Sequence, residues 1–200
     1  MKLAHSVLEQ NAVYRLWQAP FASDKFAPVY AHNDLSRVRR VLDVGCGPGT
    51  NTHLFAHSQY LGIDLNPRYI AYARKKFARD FVVANVTTYD VPRDRGFDFI
   101  LVNSFLHHVD TPAVRRILAH LQTLLTPDGH IHVLDLVLPE RRSIARLLAR
   151  LDRGDYPRPL EEWRNLFSEN FDLVVFEPYA LKAMTATLWN MVYCKGRAKP

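Results

Sequence analysis

The stretch from Val41 to Asp64 constrains the fold more than any other part of the chain. It reads as an apolar strand (Val41, Leu42, Val44), a glycine-rich turn (Gly45-Cys46-Gly47-Pro48-Gly49), a helix, a second short strand from Tyr60 to Ile63, and an acid, Asp64, at that strand's end. Glycines at 45, 47 and 49 allow backbone conformations that a Cβ forbids and let a ligand approach the main chain closely. The helix expected after the turn would present unpaired N–H groups as an electropositive rim. Asp64 stands where a carboxylate accepts both hydroxyls of a ribose. Turn and acid together specify a nucleoside-cofactor pocket in an α/β sheet.

A dinucleotide-binding turn has the spacing G-x-G-x-x-G; here it is G-x-G-x-G, with Asp43 two residues before the first glycine. That acid opposes a pyrophosphate and suits a cofactor with an ammonium group, such as S-adenosylmethionine, directly or through water. The run Val41-Leu42-Asp43-Val44-Gly45-Cys46-Gly47-Pro48-Gly49 resembles motif I of the class I S-adenosylmethionine-dependent methyltransferases, and Leu61-Gly62-Ile63-Asp64 resembles the motif that follows it. The competing reading is an incidental glycine turn with Asp64 as a helix N-cap. Against it, Asn66-Pro67 already supplies a cap and a proline at the first helical position. The resemblance spans about Val38 to Val137. It implies a Rossmann-like, seven-stranded, mostly parallel sheet with helices on both faces and a C-terminal antiparallel hairpin.

Two hundred residues suit a single domain, expected over 1–200 with a helical cap or lid at 1–37 and an α/β body at 38–200. Two cysteines 148 positions apart make no disulfide framework. With no apolar leader in the first residues and no membrane-length apolar run, a cytoplasmic location is expected. The net charge of +6 permits anionic partners, but the basic residues are interspersed with acids, which disfavours nucleic acid.

Residues 2–18 have helical spacing of Leu3, Val7, Val13, Leu16 and Trp17, ending at Pro20. An aromatic-rich connection follows, and the resemblance implies that it acts as a lid; the alternative is a cover for one sheet edge. The cofactor's carboxylate wants a cation, for which Lys25 and Arg15 are candidates, with Tyr14 as a neutral donor. A helix is expected from Asn66-Pro67 to about Arg79, and a third strand from Phe81 to Val86. By resemblance Asn85 falls where the adenine amine is met, and Cys46, Leu65 and Val86 join the cofactor set; the alternative for Asn85 is a surface turn.

Phe97 to Val102 is the expected fourth strand, and its exit, Asn103-Ser104-Phe105-Leu106-His107-His108, should border the sulfonium and the acceptor. His107 and His108 are candidates for a general base, needed only if the acceptor is protonated; a cofactor contact or a core hydrogen bond are the alternatives. No metal is expected, since the other histidines are scattered. A helix from Thr111-Pro112, a stop at Thr126-Pro127-Asp128-Gly129 and a fifth strand from His130 to Val137 come next. Arg141 to Leu151 reads as a helix with Ile144, Leu147, Leu148 and Leu151 inward. The breaker at 152–159 offers Arg153, Tyr156 and Arg158 to an anionic acceptor, or is a solvated loop. After a helix from Leu160 to Phe167, two strands, Phe171 to Phe176 and Thr187 to Cys194, join through a connection containing Pro178, and residues 196–200 form a frayed tail.

The expected function is methyl transfer from S-adenosylmethionine to an oxygen or nitrogen of a small molecule. The alternatives are a non-catalytic cofactor-binding regulator, a methyltransferase of lipid headgroups or RNA, and a nicotinamide oxidoreductase. Oligomeric state is left open.

Overall fold

Strands that are apolar on both faces need cover on both, and the sheet's centre has it. The computed structural model describes residues 22–91, 95–151 and 155–199; the expected N-terminal helix, Tyr14, Arg15 and Arg153 lie outside these residues. Helix α1 (Ala22–His32) precedes β1 (Arg40–Val44), β2 (Gln59–Asp64), α2 (Pro67–Lys76) and β3 (Asp80–Val83). Then come β4 (Phe97–Asn103), α3 (Thr111–Thr123), β5 (Leu125–Val137), α4 (Ile144–Leu151), α5 (Leu160–Asn170), β6 (Phe171–Ala183) and β7 (Ala186–Ala198). The seven strands form one sheet in the order β3-β2-β1-β4-β5-β7-β6. The first five are parallel, and β7 runs antiparallel between β5 and β6. This is the mixed, hairpin-closed sheet that the resemblance implies.

Alternation along the strands sorts the core into two layers. Leu42, Val44, Ile100 and Val102 pack with Val114, Leu118 and Leu121 of α3 and with Trp163 and Phe167 of α5. Val41, Phe99 and Leu101 face the other way, onto Phe26 and Val29 of α1 and Ile70 and Ala73 of α2. The strand order reverses direction between β1 and β4, and the crevice at the carboxyl ends there is where an open α/β sheet takes its ligands.

Several expected boundaries move. The glycine turn opens only a 3-10 turn, Thr52–Phe55, in place of a helix. Asn51, at the capping position, makes no cap hydrogen bond and turns its amide inward to Asp43. Strand β3 stops before Asn85, whose Oδ1 accepts Thr87 N at 3.0 Å and so begins a turn. Strand β5 starts at Leu125, with the expected stop absorbed as an irregularity in its pairing with β4.

Helix α4 starts at Ile144 and presents the opposite face to that expected. Ala145 and Ala149 are buried, Leu148 is half-buried, and Ile144, Leu147 and Leu151 are exposed. Leu136, Leu181, Trp189 and Met191 already fill the layer beneath Ala149, leaving space for small side chains only. The closing hairpin is also longer than expected. Pro178 lies inside β6, where an edge strand tolerates a missing N–H, and the chain reverses at Met184 and Thr185. Residues 196–198 belong to β7, with Ala198 paired to Phe171. Among the described residues, no helix is long and apolar enough to cross a membrane.

Candidate cofactor and active site

The glycine turn sits on top of β1. Gly47 adopts φ +54, and a Cβ built there would meet no atom within 4 Å, so its outer side is open. Its N–H donates to Asp64 Oδ2 at 2.9 Å, while Asn66 N donates to Asp64 Oδ1 at 2.7 Å. Asp64 thus braces both the turn and the entry to α2, and each carboxylate oxygen keeps lone-pair capacity for a further donor. Gly49, at φ +79, lies against the rings of Phe77 and Phe81, which a Cβ would approach to 3.0 Å. Cys46 is buried in the core, so only its backbone faces the turn.

Beneath the turn Asp43 is fully buried. Its carboxylate accepts Tyr60 Oη–H at 2.5 Å and the Asn51 amide at 3.1 and 3.3 Å. A carboxylate only accepts, which fixes the rest of the chain of contacts. Asn51 must give its NH2 to Asp43, so its Oδ1 faces Asn103 and accepts Asn103 Nδ2 at 3.3 Å. Asn103 is thereby oriented with its Oδ1 free. That oxygen is buried and has no hydrogen-bond partner among the described residues.

Burial raises the Asp43 carboxyl to about 7, against the lowering effect of Tyr60 and Asn51. The folded value lies above the unfolded one, so the folded state binds the extra proton and stability from this group falls as pH rises from about 4 to about 7. Between pH 5 and pH 8, Asp43→Asn is therefore expected to gain roughly 3 kcal/mol relative to the unsubstituted protein. Parallel denaturant titrations at the two pH values measure it; a constant difference between the proteins would contradict the buried, protonatable state.

The exit of β4 completes the crevice. Ser104 has φ +50, and Phe105 packs against Gly45. Lys25, carried on α1, reaches the same exit and donates from Nζ to Ser104 Oγ at 2.6 Å. The structure therefore brings Asp43, Gly45, Gly47, Asp64, Asn103 and Lys25 to the carboxyl ends of β1, β2 and β4. Leu65 is 66% exposed, and Val86 is buried in the core. Asn85 is exposed, its oxygen engaged by Thr87.

The two histidines part company. His107 is buried with its Nδ1 2.6 Å from Asp135 Oδ1, whereas His108 is exposed, its ring 4.1 Å from that of His107. Asp135, also fully buried, accepts Leu106 N at 2.8 Å and Leu136 N at 2.7 Å. Burial alone would push its carboxyl up; the His107 charge and these hydrogen bonds outweigh that and hold it below its ordinary range. Tyr156 N donates to His107 O. Arg158 is 2% exposed and spends its guanidinium on the carbonyls of Leu106, Val109 and Tyr156 and on Glu162, over the Trp163 ring. It clamps the β4 exit to α5 and is not presented to a ligand as the sequence suggested.

Sequence reasoning missed Asn51 and Asp135, and took in Ser104 only as part of the β4 exit, without its contact to Lys25. Asp135 was detectable as a lone acid within the apolar run Val133-Leu134-Asp135-Leu136-Val137. Asn51 and Ser104 carry no local signal, since their roles arise from contacts across 8 and 79 positions of sequence.

An open glycine turn, a braced acid at the end of β2 and a buried orphan acceptor at the end of β4 lie together at the switch point, where open α/β sheets of this class take their ligands. Residues 41–129 match a family profile described as a methyltransferase domain. An uncharacterised protein of Synechococcus is 32% identical over 146 residues, covering 65% of this chain and 34% of its own. Trans-aconitate 2-methyltransferase of Variovorax paradoxus is 31% identical over 114 residues, covering 54% and 42%. The chain thus spans less than half the length of these curated relatives. Among solved structures, the N-methyltransferase NodS of Bradyrhizobium japonicum superposes with a TM-score of 0.68 at 18% identity, covering 90% of this chain and 98% of its own. NodS has also been solved with S-adenosyl-L-homocysteine. Over residues 41–129 the chain is thus similar to methyltransferase domains, and it shares its fold with the solved methyltransferase NodS.

Proposed function

We propose that this protein is an S-adenosylmethionine-dependent methyltransferase acting on an oxygen or nitrogen of a small molecule. The observation that carries the cofactor assignment is the buried Asn103 Oδ1, an acceptor with no protein donor among the described residues, at the end of β4 next to β1. It suits an ammonium group. Asp64 would hold the ribose hydroxyls and Lys25 the carboxylate; Asn85, its oxygen taken by Thr87, would meet the adenine by donating its amide NH2 to a ring nitrogen and not by accepting the exocyclic amine. Asp43 acts at one remove, by orienting Asn51 and through it Asn103. The cofactor supplies a methyl group on a sulfonium; the protein's part is to hold donor and acceptor in line. Support for a small acceptor comes from the relatives' activities.

In its neutral form, with Nδ1–H held by Asp135 at 2.6 Å, His107 would have a further role as base toward a hydroxyl acceptor. His108 would then border the acceptor from the exposed side.

Calorimetric titration of S-adenosyl-L-homocysteine tests the assignment. Asn103→Leu is expected to weaken binding by about tenfold or more, the cost of a hydrogen bond to a charged group. Affinity for 5′-methylthioadenosine, which lacks the ammonium, should stay unchanged. An equal loss for both ligands would remove the ammonium contact, and no binding to the unsubstituted protein would remove the cofactor itself.

A further inference from the structure

Helix α4 inverts the usual rule for a surface helix. Its alanines hold it to the sheet while three large aliphatic side chains point outward: Ile144 is 60% exposed, Leu147 58% and Leu151 71%. Their spacing of three and four residues places them on one face, a stripe about 10 Å long at 1.5 Å per residue. Arg141 and Arg142 precede the helix and Arg150 lies in its last turn, all three exposed. None of the three guanidinium groups has a hydrogen bond or ion pair among the described residues. Two other exposed arginines are paired, Arg115 with Glu169 and Arg164 with Glu161. No acid lies within Ile144–Leu151, and over 140–151 the single acid, exposed Glu140, stands against Arg141, Arg142, Arg146 and Arg150.

From this combination we propose that α4 is an interfacial helix that docks the protein on an anionic lipid surface. The aliphatic stripe enters the boundary between headgroups and acyl chains, and the arginines meet the lipid phosphates. Charge complementarity selects this occupant: exposed cations beside an apolar stripe match a surface that is apolar below and anionic above, with no shaped groove needed. Neither element suffices alone, since one short apolar face or a few cations gives only marginal, reversible binding. Ala149 packs with Leu136, the neighbour of Asp135, so docking would bring the carboxyl ends of the strands close to the lipid.

Co-sedimentation of the full chain with vesicles tests this, using phosphatidylcholine alone and phosphatidylcholine mixed with phosphatidylglycerol. Partitioning onto the anionic vesicles is expected to be at least about tenfold stronger and to fall at high salt. The triple variant Arg141→Gln, Arg142→Gln, Arg150→Gln and the double variant Leu147→Ser, Leu151→Ser should each lose about tenfold. Equal or no binding to the two vesicle types would overturn the proposal. So would anionic binding that survives in both variants, which would assign it to the general charge of +6. A marked loss of thermal stability in the leucine variant would also overturn it, because the stripe would then be covered by protein, either residues 1–21 or a second copy. Unchanged affinity for S-adenosyl-L-homocysteine in both variants controls for folding, and the proposal stands independently of the cofactor assignment.

Discussion

Asp64→Ala is expected to lower affinity for S-adenosyl-L-homocysteine by at least about a hundredfold. A ribose diol gives two hydrogen bonds to one carboxylate, each about 1.5–3 kcal/mol when the acceptor is charged, and about 1.4 kcal/mol is a factor of ten. The loss would not end there. Asp64 also accepts Gly47 N and Asn66 N, so its removal frees the turn that cradles the ligand. Asp64→Asn keeps one acceptor oxygen and should lose less than alanine. Calorimetry with S-adenosyl-L-homocysteine, and with NADH as a control that should not bind, reads the result. An alanine variant that binds as tightly as the unsubstituted protein would leave Asp64 a purely structural brace and send the search for the ribose acceptor elsewhere.

The largest effect on stability is expected from Asp135→Asn. Three donors converge on this buried carboxylate: His107 Nδ1 and Leu136 N on Oδ1, and Leu106 N on Oδ2. An amide must turn its NH2 toward one of these sets, setting donor against donor where water is absent. Breaking a buried pair in this way costs about 3–5 kcal/mol, which for a chain of this size lowers Tm by roughly 10 °C. The pH dependence follows from the lowered carboxyl. Its folded value lies below the unfolded one, so its stabilisation is present above the unfolded pKa and is lost as pH falls through the folded value. The gap between the two proteins should therefore be full at pH 7 and shrink on acidification below about pH 4. Melting curves across that range measure it, and an Asp135→Asn variant as stable as the original at pH 7 would contradict the pairing.

How much of this was legible in the sequence depended on whether the cause was local. The glycine turn announced itself because positive φ at 45, 47 and 49 needs glycine at those positions. The stripe expected after Thr111-Pro112, Val114, Ile117, Leu118, Leu121, Leu124 and Leu125 at steps of three and four, announced itself through its period: the first five are buried, and Leu125, half-buried, begins β5. In α4 the same kind of periodicity misled. Period shows that a helix has an apolar face, not that the face is turned to the core, and Trp189 and Met191 had already filled the space beneath. The hairpin was read short because Pro178 breaks most strands; that β6 is an edge is a property of the whole sheet. The candidate site divided the same way. Asp43 and Asp64 stood out by their distance from the turn, whereas the amide relay through Asn51 requires knowing which side chains face one another across the crevice.

The place of β7 bears on how the chain is made. It is synthesised after β6 yet lies between β6 and β5, so neither neighbour gains its partner until β7 has emerged from the ribosome. From its own emergence until then, β5 presents a long, apolar edge, unpaired on the side away from β4, the kind of surface that recruits other nascent chains. The protein's yield in cells should therefore depend on the speed of translation and on chaperones over the last strand, more than on any step in assembling the five parallel strands before it.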